Sequence, residues 1–382
     1  MTRTTPVGSA VVTPKRVVIA GLGDAGVLTA IRLARRHDVV GVSLNPGLVS
    51  GQELGVRLAR PDDWARDYWI SFDRLRALDR VRTVHGALTG ADLDTRTITV
   101  TDADGTEHHE PYDALVIATG VTNGFWRRPV LQSPDDVHQG LREAHDRLSA
   151  ATSVAVIGGG AAAVSSAANL AARWPDKHVG LYHPGNEILP QHHRRTRNRI
   201  TQRLNALGVD VHPGHRAIVP DGFACDEITD DPVHFSTGQS PAKAEAVLWA
   251  IGRVTPNTGW LPRAILDDDG FVRVTPRLQV PGVPGVFAVG DVAATDALRS
   301  SARNRADALV AHNVAAYFTG GPMRTYRPHG RRWGSVLGPQ PDGLDVFAPN
   351  GFAFHFPGWS IQRVLQPWIV RRVIYRGLRD PV

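Results

Sequence analysis

One cysteine in 382 residues removes three chemistries at once. It cannot supply an intramolecular disulfide framework, a redox-active dithiol or a cysteine-built zinc or iron–sulfur site. Long apolar runs are missing too. No stretch approaches the ~18 uninterrupted apolar residues of a membrane-spanning helix, so none is expected. Charge of one sign is in only mild excess: Lys+Arg number 43 against 37 Asp+Glu, for a formal +6 and a pI near 9.9. Most of the positive charge is arginine spread along the chain, which suits an anionic cofactor, a membrane face or a nucleic acid. The sequence lacks helix-turn-helix, zinc-finger and aromatic-studded strand signatures, so no nucleic-acid partner is expected. Hydrolysis has no support either, because no Ser–His–Asp set with a nucleophile elbow is readable. The Thr/Pro-rich leader shows no apolar core followed by a small-residue cleavage site, and a cytoplasmic protein is expected.

What is present starts with length and glycine. The chain suits two domains, perhaps a third, at roughly 150 residues each. Arg16 to Ala20 read as a short apolar strand, followed at once by Gly21-Leu22-Gly23-Asp24-Ala25-Gly26. A helix from Val27 to about Arg36 and a strand around Val39 to Ser43 come next. In that frame Gly21 permits a tight turn, Gly23 lets backbone approach a pyrophosphate, and Gly26 allows close helix–strand packing. The helix N-terminus then offers unpaired amides and a positive dipole end to phosphates. The same signal recurs in the strand Ser153 to Ile157, the turn Gly158-Gly159-Gly160-Ala161-Ala162-Ala163, the helix Val164 to Arg173 and the strand Lys177 to His183. Ala163 replaces the third glycine, a position that only has to be small. Two such units suggest two nucleotides, held so that one can reduce the other.

Three further strand exits sharpen this. Tyr112 to Gly120 is a buried strand ending in the small residues Ala118, Thr119 and Gly120, and Val247 to Arg253 leaves through Gly252. Val286 to Asp291 ends in Gly290-Asp291, a carboxylate well placed to accept a hydrogen bond from a sugar-like hydroxyl.

In order and spacing, residues 16 to about 320 resemble the FAD oxidoreductases with two dinucleotide-binding domains, and within them the type II NADH dehydrogenases and apoptosis-inducing-factor-like quinone reductases. The stretch Gly270 to Asp291 and the crossover Ile117 to Phe125 carry the closer likeness, with Trp333 to Gly338 matching more loosely. The resemblance implies an α/β fold of two Rossmann-like, doubly wound domains. Residues 1–124 and 255–325 would form a discontinuous FAD domain, residues 125–254 an inserted NAD(P)H domain, and residues 326–382 a C-terminal region. It implies FAD, with NADH or NADPH as donor. Hydride would pass from nicotinamide to flavin, and electrons from there to a small-molecule acceptor: a quinone, or otherwise a small metabolite of a biosynthetic pathway. No catalytic side chain and no metal are implied. The implied cofactor residues are Gly21, Gly23, Asp24, Ala25, Gly26, Ser43, Asn45, Arg57, Ala118, Thr119, Gly120, Gly290 and Asp291 around the flavin. Around the donor they are Gly158, Gly160, Ala161, Ala163, His183 and Gly252. The single cysteine sets the chain apart from disulfide reductases of this fold, and Cys225 reads as an ordinary thiol.

The sequence departs from its relatives at several positions. Ser43 and His183 stand where an acid usually binds a ribose hydroxyl pair, and Asn45 could assist Ser43. Loss of the second acid removes repulsion toward a 2′-phosphate, which His183 or Lys177 could favour, so NADPH is expected alongside NADH. Ser165 occupies a position where relatives carry Glu near the nicotinamide. Ser300 to Ala306 replaces a quinone-side pattern, and Arg303 and Arg305 there suit an anionic acceptor or a solvated helix face equally. These losses keep a nucleotide-bound binding or signalling protein open as a rival. Trp64, Tyr68 and Trp69 flank the flavin or belong to the core. His192 to Arg195 opens an exposed basic helix rather than a metal site. Ile361, Val364, Leu365 and Trp368 repeat at helical spacing among arginines, interrupted by Pro367. Residues 358–376 therefore either lie on the anionic inner face of the cell membrane or pack against the core or a homodimer partner.

Overall fold

The computed structural model describes residues 14–49, 54–122, 129–252, 254–295, 305–328, 330–331 and 333–379. Arg16–Ala20 is a strand whose Val17, Val18, Ile19 and Ala20 are all buried, the near-continuous apolar run of a parallel strand covered on both faces. It sits at the centre of a five-stranded parallel sheet. Asp38–Ser43 and then Val81–His85 lie on one side, Ala114–Ile117 and then Val286–Ala288 on the other. In chain order that is 3-2-1-4-5, the order of a doubly wound dinucleotide-binding sheet. Side-chain alternation divides its two faces. Val17, Ile19, Val39, Val116 and Phe287 pack under the helices Asp24–Leu33 and Ala306–Thr319. Val18, Ala20, Val40, Leu115 and Ile117 pack with Ile98 and Val100 of a three-stranded antiparallel sheet, Ala87–Asp92, Thr97–Thr101 and Glu107–Pro111.

After Ile117 the chain leaves this sheet and builds a second one before returning at Val286. The second sheet is also parallel. Ser153–Ile157 is central between His178–Tyr182 and Ala246–Trp249, with Asp210–His212 at the edge, order 3-2-1-4. Val154, Val156, Val179, Leu181 and Leu248 pack against the helices Ala161–Arg173 and Arg194–Ala206, and Ala155, Ile157, Val247 and Trp249 form the opposite face. The helix Pro134–Ala150 leads in, started by a capping box between Ser133 and Asp136. The two crossovers pair with each other, Val121 with Pro256 and Thr122 with Thr255.

Beyond the second helix of the first face, Gly334–Ser335, Gly343–Phe347 and Ala353–Pro357 form an antiparallel sheet. A helix with π-type bonding then runs from Ile361 to Ile374 and passes through Pro367 without ending. Among the described residues no helix is long and apolar enough to cross a membrane.

Candidate cofactor sites

The first turn shows why small residues are needed. Gly21 adopts φ +103°, and a Cβ there would lie 2.5 Å from the Ala118 carbonyl oxygen. A Cβ on Gly26 would overlap the Gly21 carbonyl, whereas one on Gly23 has no described atom within 4 Å. Gly23 thus faces open space at the start of the helix Asp24–Leu33, where Val27 N–H already bonds the Gly23 carbonyl. That is room for a pyrophosphate over free helix amides. Ala118 N–H donates to Ala20 O at 2.7 Å and Val289 N–H to Ile117 O at 2.9 Å, so three strand ends terminate side by side. They carry Ala118, Thr119, Gly120, Gly290 and half-exposed Asp291 to the same edge as the glycines. Ala25 Cβ packs at 3.4 Å from a Cβ built on Gly290.

Ser43 ends the second strand, and its Oγ accepts the Asn45 N–H at 3.2 Å. Asn45 Oδ1 is fully shielded and has no hydrogen-bond partner among the described residues. A buried acceptor of that kind is costly unless a donor arrives, and a ribose hydroxyl would supply one. The turn, its open glycine and this orphaned oxygen fit FAD.

The second turn repeats the first. Gly158 has φ +138° and a Cβ there would overlap the Ala250 carbonyl, Gly160 faces open space, and Val164 N–H bonds Gly160 O at 3.0 Å. Ala161 and Ala163 begin the helix, with Ala163 buried. Gly252, after the strand Ala246–Trp249, also faces open space. His183 sits at the end of its strand, buried beside Gly159, with Nδ1 shielded and unpartnered among the described residues. Burial and the nearby His215 hold its pKa below the ordinary imidazole value. The donor's adenosine end fits here.

Other expected residues fall elsewhere. Lys177 is corrected: it precedes the strand His178–Tyr182, at the opposite end from His183, and its ammonium bonds the carbonyls of Ser149 and Ala151. Arg57 is buried in the short helix Leu54–Ala59, its guanidinium 4.9 Å from the Trp64 ring centre. Trp64 and Trp69 are core, 6.2 Å apart in a cluster with Val56 and Leu141. Ser165 is buried and donates to Leu337 O at 3.3 Å, while Asn169 also donates to Leu337 O at 2.8 Å. That position ties the second unit to the C-terminal region. Cys225 is buried with Ala155, Ile157 and Trp249. His193 caps the helix Arg194–Ala206 by accepting the Arg195 N–H, and no metal-holding cluster exists among the described residues. Arg305 is an exposed helix N-cap, and Arg303, Asn123, Gly124 and Phe125 lie outside the described residues.

Two contributors escaped sequence reasoning. Asn257 accepts from Thr122 Oγ1 at 2.8 Å, donates to Thr119 O at 3.1 Å, and takes Thr119 Oγ1 on its carbonyl, so it locks both crossovers. Its only signal was its place just after the Gly252 exit. Tyr375 is buried and donates to Asp24 Oδ1 at 2.8 Å across 351 positions, for which no local signal exists.

The profile of the pyridine nucleotide-disulphide oxidoreductase family matches residues 15–317. Oxidoreductase ptaL of Pestalotiopsis fici is 26% identical, over 94% of this chain and 97% of its own. Demethylphylloquinone reductase NdbB of Synechocystis is 26% identical, over 93% and 96%. Among solved structures, the sulfide:quinone oxidoreductase of Aquifex aeolicus superposes with a TM-score of 0.70 at 16% identity, over 95% of this chain and 92% of that one.

Proposed function

Because the chain belongs to the pyridine nucleotide-disulphide oxidoreductase family, with FAD and NADH or NADPH as cofactors, we propose that its electron acceptor is a quinone. The observation that carries this is the match to a demethylphylloquinone reductase along nearly the full length of both chains. The surface agrees with it. Phe352, Phe354, Trp359, Val364, Trp368 and Ile374 are exposed, and no acidic residue occurs between Asp345 and Asp380. Arg372 stacks 4.7 Å over Trp368. Exposed apolar side chains interspersed with arginine suit the headgroup layer of an anionic membrane, where quinones reside.

Bound cofactors supply the redox chemistry, and the chain supplies position and charge. Gly23 and Gly160 leave backbone amides open to the two pyrophosphates, and Asp291 and Asn45 offer oxygens to hydroxyls of the flavin nucleotide. No side-chain acid or base is needed for the donor half of the reaction. A buried Cys225 without a second cysteine supports our reading that the chain is not a disulfide reductase.

The test is an anaerobic visible spectrum of flavin-loaded protein before and after NADH or NADPH, then after a soluble quinone. Bleaching by a donor and recovery with quinone is the expected result. Bleaching without recovery would move the acceptor to another small metabolite, and a flavin that stays oxidised would favour a binding role. Trp359→Ser with Trp368→Ser should weaken co-sedimentation with anionic vesicles and leave flavin reduction intact.

A further inference from the structure

The end of the strand His178–Tyr182 gathers three imidazoles, His183, His212 and His215, beside the second turn. A Cβ built on Gly159, the middle glycine of the second turn, would lie 3.0 Å from His183 Cβ and 3.6 Å from its Nδ1. His183 is 2% exposed. Its N–H donates to His212 O at 3.1 Å, and its carbonyl accepts the His215 N–H at 2.9 Å. The His212 ring stacks on Tyr182 at 4.4 Å and lies 5.5 Å from the His215 ring, which stands perpendicular to Phe235 at 4.8 Å. His215 Nδ1 lies 2.8 Å from Pro213 O, so that nitrogen is the donor.

The other charges around the cluster are accounted for. The turn Gly158 to Ala163 has no ionisable side chain. Glu187, in the loop that follows His183, pairs with Arg197 at 2.7 Å. Asp210 acts on His212 and Tyr182, and Arg216 is exposed. A fixed acid in this place would repel a 2′-phosphate at every pH. An imidazole can present either face: neutral toward a hydroxyl, cationic toward a phosphate.

We propose that His183, backed by His215 and His212, reads the 2′ position of the donor's adenosine ribose by proton uptake. A 2′-phosphate is met by an imidazolium formed with a proton from solvent, a bare hydroxyl by the neutral ring, so that falling pH favours the phosphorylated donor. This rests on the donor-site reading above and adds its specificity. The free ring is held neutral by burial and by His215, so binding of the phosphate dianion must draw a proton from solvent.

The probes are 2′,5′-ADP and 5′-AMP, titrated calorimetrically onto flavin-loaded protein at about pH 7.5 in two buffers of different ionisation enthalpy. Uptake of roughly half a proton or more is expected with 2′,5′-ADP and none with 5′-AMP. The affinity ratio of the two probes should rise at least about threefold between pH 8.5 and pH 7. His183→Gln and His215→Gln should each reduce the uptake and flatten the ratio, with flavin content and melting temperature as the check on folding. Equal uptake for both probes, no uptake, or native uptake in both variants overturns the proposal. Failure of either probe to bind does so too. Anaerobic flavin bleaching by NADH on the same samples separates that failure from failure of the oxidoreductase reading.

Discussion

The two glycine turns are near copies in backbone and differ in what fills the third small position. In each, the first glycine has positive φ and backs onto a carbonyl of the neighbouring strand's exit, Ala118 in one and Ala250 in the other. In each, the middle of the motif opens to solvent, at Gly23 and at Gly160. Yet Gly26 presses its helix onto the Gly21 carbonyl, whereas Ala163 sits in the matching place with its Cβ 3.2 Å from one built on Gly158. The first helix is therefore closer to its strand than the second. The Rossmann pattern tolerates alanine by geometry at one site and forbids it at the other, although the sequence rule treats both positions alike.

The sharpest way to break this comparison is to exchange the third residues. Gly26→Ala drives a methyl into main-chain atoms that cannot move aside, and should cost on the order of 3 kcal/mol with loss of bound flavin. Ala163→Gly should cost only about 0.5–1 kcal/mol, the helix penalty, and keep donor binding. Thermal melts and flavin content of the two variants decide it; similar effects would erase the asymmetry. Next comes the open glycine. Gly160→Ala has space in the free protein, so its melting point should stay near native while donor affinity drops about tenfold, roughly 1.4 kcal/mol. Gly158→Ala should instead destabilise the fold, because both φ and the Ala250 carbonyl oppose it.

Sequence made one half of this legible and not the other. Both strand–glycine–helix units and the strand exits at Gly120, Gly252 and Gly290 follow from local periodicity and turn chemistry, whereas the return of the chain to the first sheet followed only from the family resemblance. Helix starts came late by about three residues, because Asp24 and Ala161 already belong to the helices. What stayed hidden depends on long-range closure. Lys177 looked close to His183 in sequence, but a strand of five residues separates them across the sheet. Ser165 looked like a nicotinamide-side position, yet its hydroxyl is bonded to Leu337, 172 residues away. Tyr375 on Asp24 belongs to the same class. Among the described residues this brace lands on the first turn itself, so Tyr375→Phe should loosen flavin by about 1–2 kcal/mol and leave donor affinity unchanged. Flavin release during dialysis, compared with a donor-analogue titration, measures both halves.

The smallest expected effect separates the turns by pH. At the matching strand ends the first unit has Ser43, which does not titrate, and the second has His183. Burial and His215 lower the His183 pKa in the folded protein below the ordinary 6.5. The unfolded chain therefore binds the proton more readily, and stability must rise with pH across that interval. The contribution is fully present above pH 6.5 and is lost as pH falls through that value toward the folded one. Melts of nucleotide-free protein at pH 7.5 and 5.5 should show a drop that His183→Gln reduces and that Ser43→Ala leaves as it was. An equal drop in all three proteins would place the acid sensitivity outside the second turn.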